Sequence, residues 1–82
     1  MQVVASTVKS IVDVFMKESP AAGWEISDLF NFWYKKPTGN ASENFHVKLL
    51  IEAGLLSSLN NGVGPGGTPL YVVSWAGYKA VY

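Results

Sequence analysis

The chain has 82 residues, enough for one small domain with a single core. Apolar residues make up 49% and charged residues 15%, a folded rather than a disordered composition, and the absence of cysteine excludes disulfide scaffolds, thiolate zinc sites and iron–sulfur clusters. Six lysines balance six acids and there is no arginine, which removes the electrostatic case for strong attraction to nucleic acid or an anionic membrane.

No apolar run approaches the length of a transmembrane span, and the first residues lack the charged-then-apolar order of a signal peptide. The expectation is a soluble, cytoplasmic domain.

Val4, Val8, Ile11, Val12 and Phe15 recur at steps of three and four, with Thr7, Lys9, Ser10, Asp13 and Lys17 between them. This spacing predicts an amphipathic helix over 3–18 with the stripe facing the core. Ser19-Pro20 ends it, because the residue before proline is driven out of the helical region, and Gly23 prolongs the break.

The segment Trp24 to Tyr34 carries two patterns. With period two, Trp24, Ile26, Phe30, Phe32 and Tyr34 share a strand face interrupted by Asp28. With period 3.6, Ile26, Leu29, Phe30 and Trp33 form a helical stripe, with Ser27 as N-cap and Asp28 in the first turn. The second pattern is preferred and predicts a helix over 28–35. Pro37-Thr38-Gly39-Asn40 is a turn on either reading.

A third helix is expected over 41–54, capped by Ser42 or Asn40, with Phe45, His46, Leu49, Leu50 and Ala53 facing inward. Gly54 stands where a helix end takes a left-handed residue. Beyond it, 55–59 and 70–75 read as the two strands of a hairpin whose long tip runs from Asn60 to Pro69. Trp75 is expected in the core with Leu50, and Ala76 to Tyr82 can form a last short helix. The expected order is helix, helix, helix, strand, strand, helix, an α+β chain read as one domain spanning 1–82.

The most specific string is Phe45-His46-Val47-Lys48-Leu49-Leu50-Ile51-Glu52-Ala53-Gly54-Leu55-Leu56, followed later by Val73-Ser74-Trp75-Ala76-Gly77-Tyr78. The two together resemble a family of small bacterial and prophage winged-helix proteins without an assigned activity. The family pattern is Tyr-His-x-x-Leu-Leu-x-x-Ala-Gly-Leu-Ile, then a wing, then a Leu-Thr-Trp-x-Gly-His corner. Tyr78 stands where that family often has histidine, and Trp24 to Asn40 departs by carrying more aromatics. The Ala-Gly-Leu portion alone is also similar to arsenic-repressor-like and multidrug-repressor-like regulators. The resemblance implies an α+β fold, a single winged helix-turn-helix domain of three helices, a β-hairpin wing and a short C-terminal helix, and leaves the function to the residues.

His46 is the only histidine, and Ser42 and Leu50 stand four residues to either side, so neither a zinc site nor an acid–base set assembles around it. It reads as a packed ring donating to a local acceptor. The glycine-rich stretch joins two strands, unlike a phosphate loop, which runs from a strand into a helix. No catalytic residue, metal or cofactor is expected, and the chain is read as non-enzymatic.

Two functions stay open, with DNA binding slightly ahead. On a winged helix the third helix enters the major groove, so Asn40, Ser42, Asn44 and Lys48 would face bases, with Lys35 and Lys36 on phosphates. Against this, Glu43 sits within that surface and the wing tip carries no positive charge. The alternative is a protein-binding module with Trp33 and Tyr34 at the interface, in its sharper form a phage protein that occupies the surface of a host defence complex. Val3, Met16, Tyr78 and Tyr82 are apolar residues in excess of the core and point to a homodimer as a further partner.

Overall fold

The computed structural model describes residues 2–82, apart from the side chains of residues 59–61. What the sequence suggests for the side chains of Leu59, Asn60 and Asn61 lies outside the described residues. The elements are α1 (Ala5–Glu18), α2 (Ile26–Tyr34), α3 (Ala41–Glu52), β1 (Leu56–Val63), β2 (Pro69–Val73) and α4 (Trp75–Val81). The architecture is α+β. Among the described residues no helix is long and apolar enough to cross a membrane.

The α1 stripe works as its spacing implies: Ile11, Val12 and Phe15 are fully buried and Val8 packs beside them. Val4 is a correction. It lies just outside the helix in extended backbone and is 44% exposed, so its side chain does not join the core. At the other end Ser19 is extended before Pro20, and its amide donates to the Phe15 carbonyl at 3.2 Å.

Helix α2 starts two residues earlier than its sequence pattern suggests, and its cap is Glu25, not Ser27. The Asp28 carboxylate accepts from the Glu25 amide at 3.0 Å, filling the first-turn role read for it. Of the period-two alternative only Trp24 is extended. It exchanges backbone hydrogen bonds with Tyr71, at 2.9 and 2.7 Å.

In α3 the reciprocal cap is complete. The Asn40 side chain accepts from the Glu43 amide at 2.8 Å, and the Glu43 carboxylate accepts from the Asn40 amide at 2.9 Å. The buried face is His46, Val47 and Leu50. Val47 therefore joins the expected set, whereas Phe45 and Leu49 are only half-buried and Ala53 is exposed, because the helix ends at Glu52. Gly54 takes φ 77°. Its amide donates to Ile51 at 3.1 Å and that of Leu55 to Leu50 at 2.8 Å, the double closure that turns the chain out of the helix.

Strands β1 and β2 pair antiparallel, with Leu56 opposite Val73 and Val63 opposite Pro69, and the register shifts between Ser58 and Val63. The first strand thus extends into the stretch read as tip, which shortens the turn to residues 64–68. That turn closes through Gly64 donating to Thr68 at 2.9 Å and Gly67 donating to Gly64 at 3.0 Å.

The second strand ends before Trp75. Ser74 caps α4, accepting from the Gly77 amide at 3.1 Å, so Trp75 opens a helix and is 72% exposed. Its expected place in the core is overturned. The core itself is Ile11, Val12, Phe15, Leu29, Phe30, Val47, Leu50 and Leu56, drawn from α1, α2, α3 and the start of β1. Each such side chain contributes about 1.5–3 kcal/mol through burial.

Candidate interaction surfaces

His46 is wholly buried and both ring nitrogens are engaged. Nε2 accepts from the Val4 amide at 2.8 Å, which makes Nδ1 the donor to the Ser42 carbonyl at 2.7 Å. The ring pins the start of α1 to α3, leaving no free lone pair for a metal or a proton transfer. Among the described residues no group of three His, Asp or Glu side chains could hold a metal ion.

The residues read as a DNA-facing set divide into committed and free groups. Asn40 is spent on capping α3, and the Asn44 amide donates to the carbonyls of Asn40 at 3.0 Å and Gly39 at 3.3 Å. Ser42 is half-buried and its carbonyl holds His46. Lys35, Lys36 and Lys48 are exposed; Lys35 takes the left-handed conformation, φ 58°, that ends α2.

Trp33 and Tyr34 meet Asn40 and Ser42 in one open groove of about 380 Å³ between α1, α2 and the start of α3. Trp33 is half-buried and packs against the core beside Phe30, with ring centroids 6.5 Å apart. Tyr34 is 46% exposed and donates its hydroxyl to the Glu43 carboxylate. That hydrogen bond, with some burial and the negative charge of Glu43, holds the phenol above its ordinary pKa. Glu43 is thus tied on both oxygens, to Asn40 and to Tyr34.

Glu25 is 3% exposed and holds the hairpin. Its carboxylate accepts from the Gly66 amide at 2.9 Å, the Thr68 amide at 3.2 Å and the Thr68 hydroxyl. The Thr68 hydroxyl and the Gly66 amide lower its pKa, and burial opposes them less strongly. A β-carbon at Gly64 would run into this carboxylate, so the turn needs glycine there to approach. The hairpin tip is therefore folded back against the start of α2. Its amides at 66 and 68 serve an internal anion.

The most exposed aromatic feature is on α4. Trp75, Tyr78 and Tyr82 form a stacked ladder, with centroids 5.5 Å apart at 12° and 5.2 Å apart at 26°. Their exposures are 72%, 40% and 56%. Lys79 reaches over the Trp75 ring, Nζ 5.9 Å from its centroid, and the Tyr82 hydroxyl donates to Asp13 of α1.

Trp75 was hidden from sequence reasoning by the strand-like run before it. The available signal was Ser74, an N-cap residue three positions ahead of Gly77. Glu25 offered no local signal, since its partners lie 41 and 43 positions away. No family model, no curated protein and no solved structure matches this chain.

Proposed function

We propose that this is a non-enzymatic winged-helix module that binds another protein through the α4 ridge. The winged-helix reading is supported by three helices followed by a hairpin, and by the sharp Gly54 turn from helix into strand. The protein-binding reading is carried by one observation: Trp75 is 72% exposed at the head of a stacked ladder with Tyr78 and Tyr82. Tryptophan and tyrosine are enriched at interface cores, and a ridge of this kind gains most when a partner covers it.

DNA binding is the second reading, kept by the fold and by the exposure of Lys36 and Lys48. Affinity for duplex rests on phosphate neutralisation, and a neutral chain with Asn40, Asn44 and the wing amides committed internally has little to contribute.

The test uses three baits: the parent, Trp75→Ala and Lys48→Glu. The protein-binding reading expects proteins retained by the parent and by Lys48→Glu, and lost with Trp75→Ala. It also expects no saturable binding to mixed duplex DNA at about 50 mM salt, where the electrostatic contribution is large. Saturable duplex binding that Lys48→Glu weakens overturns it in favour of DNA.

A further inference from the structure

We infer that the occupant of the α4 ridge is an acidic amphipathic segment of another protein. The inference rests on the protein-binding reading and adds the charge and shape of the partner. Lysines border the ridge at both ends. Lys79 lies over Trp75 at one end. At the other, Tyr82 reaches Asp13, and residues four apart on a helix lie one above the other, so Lys9 and Lys17 stand one turn to either side of Asp13 in the same row of α1. Lys9 also lines a notch with Val3, Val8, Ala80 and Val81, of about 360 Å³, next to the end of α4.

Lys9, Lys17 and Lys79 against Asp13 leave this face at 3 − 1 = +2 in a chain whose net charge is zero. The compensating acids lie elsewhere: Glu25 caps α2 under the wing, Asp28 is on α2, Glu43 and Glu52 are on α3, and Glu18 falls off the row at the end of α1. The Asp13 carboxylate is engaged by the Tyr82 hydroxyl.

An aromatic ridge beside an apolar notch, rimmed by lysines, fits a helix that presents apolar anchors one turn apart with carboxylates beside them. A second copy of this chain would bring two positive faces together, which disfavours it as the occupant. A nucleic-acid strand would find few cations and a carboxylate among them.

The test is fluorescence anisotropy of the whole chain with labelled amphipathic helical peptides. They share one leucine and isoleucine face and carry glutamate, glutamine or lysine at every polar position. The glutamate peptide is expected to bind at least about tenfold more tightly than the lysine peptide, with the difference shrinking at high salt. Charge reversal of exposed lysines (K9E, K17E and K79E together), with melting checked against the parent, is expected to reverse the order.

Equal binding of the three peptides, abolished by Trp75→Ala, overturns the acidic partner and leaves the ridge standing. Binding indifferent to Trp75→Ala overturns the ridge as well. Failure of the parent to bind the glutamate peptide, or tighter binding of an oligothymidylate, also overturns the inference.

Discussion

Glu25 and Thr68, 43 positions apart, are joined twice: the Glu25 carboxylate accepts from the Thr68 amide at 3.2 Å and from the Thr68 hydroxyl. This is how the hairpin is fastened to the helical body. The Gly66 amide and the Thr68 amide and hydroxyl hold the carboxylate.

The fastening makes stability depend on acid. Thr68 and Gly66 hold the Glu25 carboxyl below its ordinary value of 4.5 when folded. A group depressed in this way stabilises the fold above its unfolded pKa, and the contribution is lost as pH falls through the folded pKa. The melting temperature of the parent should therefore drop as pH is lowered through 4.5 and beyond. Glu25→Gln should melt lower at pH 7 and show a flatter acid limb. An acid limb of equal steepness in the two proteins would assign the dependence to other carboxylates.

Gly64→Ala should loosen the same contact from the opposite side, because the added carbon collides with the Glu25 carboxylate. Hydrogen exchange at the Gly66 and Thr68 amides should quicken, while amides of α1 keep their protection. Combined with Glu25→Gln, the loss of stability should be less than the sum of the single effects, since both act on one contact. Strict additivity would mean the glycine matters for the turn alone.

Leu50 and Trp75 should respond oppositely to truncation. Leu50 is 3% exposed within the core, so Leu50→Ala should cost about 2–5 kcal/mol in urea unfolding. Trp75→Ala removes a side chain that is 72% exposed and should stay within about 0.5 kcal/mol of the parent. A large loss for Trp75→Ala would place the ladder in the service of folding instead of recognition.

His46→Leu keeps an apolar group in the pocket but leaves the Val4 amide and the Ser42 carbonyl without their partner. The expected cost is about 1–3 kcal/mol, with faster exchange at the Val4 amide. Unchanged exchange there would mean the start of α1 is held by its apolar contacts alone.

Local chemistry was legible in the sequence, and distant contacts were not. The α1 stripe and the left-handed Gly54 follow from residues within one or two turns and are found where that chemistry puts them, and of the two caps open for α3, Ser42 and Asn40, the helix takes Asn40. Val4 and Ala53 were misplaced because periodicity marks a face without marking where the helix stops. Trp75 was misplaced because a β-branched run before it read through a cap. Glu25 reads as one of six ordinary acids until the returning hairpin meets it. On the candidate surface, the exposure of Tyr78 and Tyr82 was anticipated from their excess over the core. Their stacking with Trp75 depends on a helix start that the pattern concealed.

The exposure of Trp75 gives the molecule its own optical reporter. Trp24 sits edge-on to Phe15 with centroids 5.6 Å apart, and Trp33 packs beside Phe30, so both sense the interior. Trp75 senses water. Occupation of the ridge should shift its emission to the blue, whereas unfolding shifts that of the two half-buried indoles to the red. One unlabelled spectrum thus separates a bound chain from a denatured one.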